Sequence, residues 1–75
     1  MTLTFELKPS VNEEPAFIEL NKLLKVMQLV ENGGMANTFI SDGLVKLNGK
    51  TDLRKRAKVK SGDEVTIDET VIKVV

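Results

Sequence analysis

Apolar and polar residues alternate over the first seven positions of the chain. Leu3, Phe5 and Leu7 are apolar and their neighbours are polar, which is typical of a strand with one buried face. Pro9 cannot donate a hydrogen bond within a sheet, so we expect it to end this strand. Residues 8–12 are then predicted to form a loop.

The pattern next changes to the period of a helix. Asn12 suits an N-cap and Pro15 is tolerated in a first turn, so a first helix is predicted to begin within residues 12–15. Gly33 and Gly34 are expected to end this helix, because glycine adopts the left-handed conformation that often closes one. Apolar residues recur along one face of it, at Phe17, Leu20, Leu23, Leu24, Met27 and Val30.

A second, short helix is predicted over residues 35–42. Gly43 is its expected closing residue, and two helices joined by two glycines should pack at an angle. Its apolar face is predicted to contain Met35, Ala36, Phe39 and Ile40.

The rest of the chain predicts short strands and turns. Asn48-Gly49 is the strongest hairpin signal in the sequence, because a type I′ turn requires positive φ at both central residues. Residues 44–47 and 50–53 should therefore pair antiparallel, and residues 54–60 are predicted to be an extended loop. Further strands are expected at 64–68 and 71–75, with turns at 61–63 and 68–70.

Charge is segregated along the chain although the formal net charge is zero. Between residues 46 and 60, seven cations accompany one acid, Asp52, which gives a local charge of +6. Lys22 and Lys25 lie three residues apart on the first predicted helix, so they should project from the same side. A basic band on a small domain is typical of a surface that meets phosphate groups.

Composition narrows the possible chemistry. The 75 residues fit one domain and include no histidine and no cysteine, which removes disulfides, the usual zinc sites and most acid–base and nucleophile arrangements. Gly49-Lys50-Thr51 resembles the end of a phosphate-binding loop, but the first glycine of that motif would fall at position 44, which is a leucine. We therefore expect no catalytic residue, no metal and no cofactor. No secretory leader or membrane span is predicted, so a cytoplasmic monomer is expected.

Four stretches form an ordered set of motifs: residues 19–24 (ELNKLL), 39–43 (FISDG), 45–50 (VKLNGK) and 59–65 (VKSGDEV). Together they resemble the small RNA-binding domain first described in bacterial ribosomal protein S-four. Residues 18–67 carry the resemblance, and the connection at 31–34 is similar to that of small stand-alone bacterial members. The family's arginine and aspartate in the first motif are Glu19 and Asn21 here.

The resemblance implies an α+β fold, with an L-shaped pair of helices (the alpha-L motif) on a small, mostly antiparallel sheet. Residues 1–75 would form a single RNA-binding domain, with strands at 2–7 and 71–75 added to the 18–67 core. In the family, RNA lies on the basic surface of the helix pair and hairpin. Carried over by position, this surface contains Lys22, Lys25, Lys46, Lys50, Arg54, Lys55, Arg56, Lys58 and Lys60.

The three phenylalanines bear on which kind of RNA is bound. Phe5, Phe17 and Phe39 all fall on apolar stripes and are expected in the core. No aromatic side chain would then remain to stack on bases, which favours recognition of folded RNA by its shape. The sequence therefore predicts a non-enzymatic protein that binds structured RNA, such as ribosomal RNA.

Two other classes of function remain open at this point. The basic band could dock an acidic protein partner. A ubiquitin-like sulfur carrier also has a Val-x-Leu-Asn-Gly hairpin, but it needs a C-terminal Gly-Gly, and this chain ends in Lys73-Val74-Val75.

Overall fold

Two helices and a five-stranded sheet enclose the core in the computed structural model, which describes residues 1–7 and 16–75. A separate two-stranded ribbon pairs the segment immediately before the first helix with a segment later in the chain. The elements in chain order are β1 (Thr2–Phe5), β2 (Ile18–Glu19), α1 (Leu20–Val26), α2 (Gly33–Ser41), β3 (Val45–Leu47), β4 (Lys50–Thr51), β5 (Lys58–Val59), β6 (Glu64–Ile67) and β7 (Thr70–Val74).

The sheet has the strand order β1-β7-β6-β3-β4. β1 runs parallel to β7, and every other neighbouring pair is antiparallel. The Leu7 N–H extends the first pairing by donating to the Val75 carbonyl at 2.8 Å. The predicted α+β fold with a mostly antiparallel sheet is confirmed, and so are the strands expected near both ends of the chain.

One face of the sheet packs against the helices and the other faces solvent. Lys46 on β3 and Lys73 on β7 project from the outer face, because their strand neighbours are buried or half-buried on the inner one. The inner face and both helices form one hydrophobic cluster, whose largest fully buried side chains are Leu20, Leu23, Leu24, Ile40, Val45, Val59, Val65, Ile72 and Val74.

The hairpin between β3 and β4 forms as predicted. Asn48 and Gly49 have φ values of 53° and 84°, the left-handed region that a type I′ turn requires at both positions. The Asn48 side chain also donates to the Asp63 carboxylate at 3.0 Å and accepts from the Glu64 N–H at 2.9 Å. The Asp63 carboxylate in turn accepts from the Lys60 N–H at 2.8 Å. These bonds fasten the hairpin tip to the turn that precedes β6.

The first helix is much shorter than predicted. Its expected start within residues 12–15, like the loop at 8–12, lies outside the described residues, but Phe17 precedes β2 and the helix begins only at Leu20. The residues before it pair with β5 instead. The Leu20 N–H then donates to the Ala57 carbonyl at 2.9 Å and the Asn21 N–H to the Lys55 carbonyl at 3.1 Å. The loop thus supplies acceptors for N–H groups that the first helical turn leaves unpaired.

The predicted end of α1 at Gly33 and Gly34 is also wrong. Gln28, with φ of 60°, closes the helix, and its N–H donates to the Lys25 carbonyl at 3.0 Å. The Leu29 N–H donates to the Leu24 carbonyl at 3.1 Å, which completes a Schellman motif.

The two glycines open the second helix rather than close the first. Asn32 is the N-cap of α2, and its side-chain oxygen accepts from the Met35 N–H at 2.9 Å. Gly43, with φ of 78°, follows the helix as predicted. Its N–H donates to the Ile40 carbonyl and the Leu44 N–H donates to the Phe39 carbonyl, both at 3.1 Å, so this end is a Schellman motif as well.

Residues 54–60 are not wholly a loop. Lys58 pairs with Glu19 and Val59 with Ile18, so part of the segment forms the antiparallel ribbon β2–β5. Ile18 and Val59 are buried, which gives this pairing an apolar inner face. The ribbon holds the basic segment against the start of α1.

Candidate nucleic-acid interface

Cations from α1, the β3–β4 hairpin and the following segment line three adjoining open depressions. Arg54 borders the first and the second, and Arg56 borders the second and the third. Because neighbouring depressions share a side chain, they lie next to one another on one stretch of surface. We call it the basic groove; its cations are Lys22, Lys25, Lys50, Arg54, Arg56, Lys58 and Lys60.

Arg56 lies between the lysines of α1 and those of the segment that follows the hairpin. It lines one depression together with Lys22 and Lys25 of α1, and another with Lys58 and Lys60. The bonds from the start of α1 to the Lys55 and Ala57 carbonyls position the Arg56 backbone at this point. A part-buried hydrogen bond from the Asn21 side-chain amide to the Asn37 side-chain oxygen, at 3.1 Å, ties α1 to α2.

Arg54 forms a bidentate ion pair with Asp52. Its Nε and Nη2 atoms donate to the two carboxylate oxygens at 3.0 and 2.8 Å, and its backbone N–H donates at 2.9 Å. The side-chain hydrogen bond from Arg54 lowers the pKa of Asp52 and raises that of Arg54. The Arg54 side chain is still 75% exposed, whereas that of Asp52 is 11% exposed. The guanidinium is therefore oriented by this carboxylate and remains accessible.

Arg56 has a looser acidic neighbour. Its Nε lies 3.7 Å from a Glu19 carboxylate oxygen, and the Arg56 side chain is 85% exposed. This separation exceeds that of a good hydrogen bond, and an exposed pair of this kind contributes little to stability. Within residues 1–7 and 16–75, Arg54 and Arg56 are the cations that form ion pairs with carboxylates.

Two of the nine predicted RNA-binding residues are not among the side chains that line the groove. Lys46 projects from the outer face of the sheet, where its strand partners are Thr51 and Thr66. Lys55 is exposed beside Arg54 and Arg56, and its carbonyl accepts from α1. The structure therefore brings seven of the predicted side chains together and leaves Lys46 on a different face.

Phe17 is not in the core, contrary to the sequence prediction. It precedes β2 and its side chain is 43% exposed, whereas Phe5 and Phe39 pack against the core as predicted. The Lys58 ammonium lies 5.0 Å from the centroid of the Phe17 ring, which is within the range of a cation–π contact. Phe17 continues the helical spacing of the apolar residues, so the sequence contains no sign of its surface position. That position follows from the ribbon, which pairs residues distant in sequence.

Asn48 and Asp63 also support the site, although the sequence predicts them only as turn residues. Together they hold the Lys60 backbone beside the hairpin tip. Each belongs to one of the four motifs, Asn-Gly and Gly-Asp, so the signal was present in the pattern. Neither helix in the described ranges is long and apolar enough to cross a membrane.

Comparisons with known proteins identify relatives of this chain. The sequence pattern of the S4 domain family matches residues 11–75. YbcJ of Escherichia coli (strain K12) is 36% identical over 58 residues, which span 77% of this chain and 83% of YbcJ. RlbA of Bacillus subtilis (strain 168), named a probable ribosome maturation protein, is 33% identical over 58 residues, spanning 77% of this chain and 82% of RlbA.

A solved structure matches nearly the whole chain. The solution structure of YbcJ, described as revealing an alpha-L motif involved in RNA-binding, superposes with a TM-score of 0.64 and 31% identity. The match covers 99% of this chain and 85% of that one. On the extent of the family match, the identity with these relatives and the shared fold, the chain belongs to the S4 domain family.

Proposed function

We propose that this protein binds structured RNA through the basic groove and catalyses no reaction. The observation that carries the proposal is the position of Arg56, which joins the lysines of α1 to those of β5 and the residue after it on one surface. Seven cations outnumber the two carboxylates, Asp52 and Glu19, that also line the groove, and such an excess of positive charge can follow a phosphate backbone. Residues 1–75 would act as a single RNA-binding domain and as a monomer in the cytoplasm.

The shape of the groove supports a polymeric ligand over a small one. Small molecules bind in concave, mostly apolar pockets that bury most of the ligand. The three depressions here are open to solvent, and cations line each of them. Such a surface suits a ligand whose charges repeat along its length.

The relatives support RNA as that ligand. The structure of YbcJ is described as containing a motif involved in RNA-binding, and RlbA is named for ribosome maturation. We extend both to this chain and propose ribosomal RNA as the structured RNA that it binds. Lys55 flanks the groove, and Lys46 on the outer face is proposed to contribute less than the groove cations.

A charge-neutralising variant of the groove tests the proposal. Lys22→Gln with Arg56→Gln removes two phosphate contacts, so affinity for purified ribosomal RNA should fall by about tenfold or more at moderate salt. The slope of log K against log salt should decrease by about 1.5, since each lost phosphate contact removes about 0.7 to 0.9. Filter binding at several salt concentrations measures both quantities.

Lys46→Gln with Lys73→Gln is the matched control. It removes the same charge from the outer face of the sheet, and both affinity and slope should stay near those of the unchanged protein. Equal losses in the two variants would show that only net charge matters, and unchanged binding by the groove variant would exclude the groove. An acidic protein that co-purifies after nuclease treatment would instead favour protein docking.

A further inference from the structure

We propose that Phe17 is a stacking platform for an unpaired RNA base, so that the protein prefers RNA in which a nucleotide leaves a paired stem. The inference rests on the proposed function and specifies the RNA that the groove selects. It reverses the expectation that no aromatic side chain is available for stacking.

The β2–β5 ribbon determines which side chains face outward beside the groove. Val59 pairs with Ile18, and both are buried. Because side chains alternate along a strand, the neighbours of this pair lie on the opposite, outer face. Continuing the register by one residue puts Phe17 across from Lys60, with Lys58 diagonal to it.

The ring and the surrounding cations offer the two contacts that one nucleotide needs. An aromatic face stacks on any base, and nearby cations bind the attached phosphate. The Lys58 ammonium is already 5.0 Å from the ring centroid, and Lys58, Lys60 and Arg56 line the adjoining depression. A base stacked on Phe17 would therefore have its phosphate close to these cations.

Its aromatic ring separates Phe17 from the other large apolar side chains that are exposed in the described ranges, which are all aliphatic. Leu44 is 53% exposed and follows α2; like Phe17, it is not among the residues that line the three groove depressions, whereas Leu53 lines the first. Phe17 combines comparable exposure with a ring and with the Lys58 ammonium over that ring. This combination favours a nucleotide as the ligand of Phe17.

Phe17→Ala tests the inference with two RNA hairpins that differ by one unpaired, bulged nucleotide. The unchanged protein should bind the bulged hairpin more tightly than the fully paired one. Phe17→Ala should lose about 5- to 20-fold in affinity for the bulged hairpin and bind the paired hairpin as before. Leu44→Ala, the exposed apolar control, should leave both affinities and the preference unchanged.

Phe17→Trp gives a direct signal of stacking. The chain has no tryptophan and no tyrosine, so the new indole would be the sole strong fluorophore. Its emission should be quenched by the bulged hairpin but not by the same hairpin with an abasic nucleotide at the bulge. Binding without quenching would overturn the inference, as would an equal loss by Phe17→Ala on both hairpins, since that result indicates a structural role.

The groove variant separates this inference from the proposed function. If Lys22→Gln with Arg56→Gln loses both hairpins while Phe17→Ala keeps the preference for the bulge, the groove stands and the stacking site is refuted. If the groove variant binds as well as the unchanged protein, the proposed function is refuted whatever Phe17 does.

Discussion

Asp52 is an acid within the most basic part of the chain, and its role is to orient Arg54. Its carboxylate accepts from both the backbone and the side chain of Arg54. The Arg54 side chain remains 75% exposed, so the pairing orients one end of the groove without burying that side chain. In the sequence, Asp52 is recognisable only as one negative charge among seven cations, because nothing in the residue types indicates this bond.

The Asp52 pair predicts a specific pH dependence of stability. The hydrogen bond from Arg54 lowers the pKa of Asp52 in the folded state. This contribution to the free energy of unfolding is therefore fully present above the unfolded pKa, near 4, and is lost as pH falls through the folded pKa. Asp52→Asn keeps the amide oxygen for the Arg54 N–H but removes the charge, so it should be less stable than the unchanged protein at neutral pH.

Urea unfolding at a series of pH values measures this difference. The gap in free energy of unfolding between the unchanged protein and Asp52→Asn should narrow as pH falls below about 4. Asp68→Asn is the control, since Asp68 is exposed in the β6–β7 turn and forms no ion pair within residues 1–7 and 16–75. A gap that stays constant with pH would contradict the assigned ion pair.

Helix ends account for most of the difference between the predicted and observed elements. The end of α2 at Gly43 was predicted because glycine is the usual closing residue of a helix. The end of α1 was not, because Gln28 takes the same left-handed conformation although it is not a glycine. The start of α1 was missed for another reason. Pairing of Ile18 with Val59 is a contact between distant segments, and the helical spacing of the apolar residues gives no sign of it.

The two helix ends predict opposite effects of substitution. Gln28→Gly should raise the free energy of unfolding by about 0.5–1 kcal/mol, because glycine avoids the strain of a left-handed residue with a side chain. Gln28→Ala should bring no such gain. Gly43→Ala should lower the free energy of unfolding by about 1 kcal/mol or more, because alanine is strained at this positive φ. No steric clash adds to this loss, since the new Cβ would lie 3.7 Å from the nearest side-chain atom.

Thermal and urea unfolding followed by circular dichroism measure these changes. A loss of stability in Gln28→Gly would mean that the left-handed end of α1 is wrongly assigned. A neutral Gly43→Ala would mean the same for α2. Neither site lies among the groove cations, so RNA affinity should stay constant in every variant that remains folded.

The whole molecule turns a charge pattern along the chain into a charged face. The sequence contained the basic segment, the hairpin, the two-helix order and the family motifs, and these led to the fold class. The sequence could not show that Arg56 lies beside Lys22 and Lys25, because backbone bonds between α1 and the loop bring them together. Pairing of β2 with β5 also leaves Phe17 at the surface, although the sequence predicts it in the core.

An NMR titration of the isotopically labelled protein with ribosomal RNA tests the location of the binding face most directly. Amide signals of residues 17–25 and 54–60 should shift most, because they carry or adjoin the groove cations and Phe17. Signals from the outer face of the sheet, such as those of Thr4, Thr66 and Lys73, should change little. If RNA binds and the largest shifts fall on that outer face instead, the account of the groove is wrong.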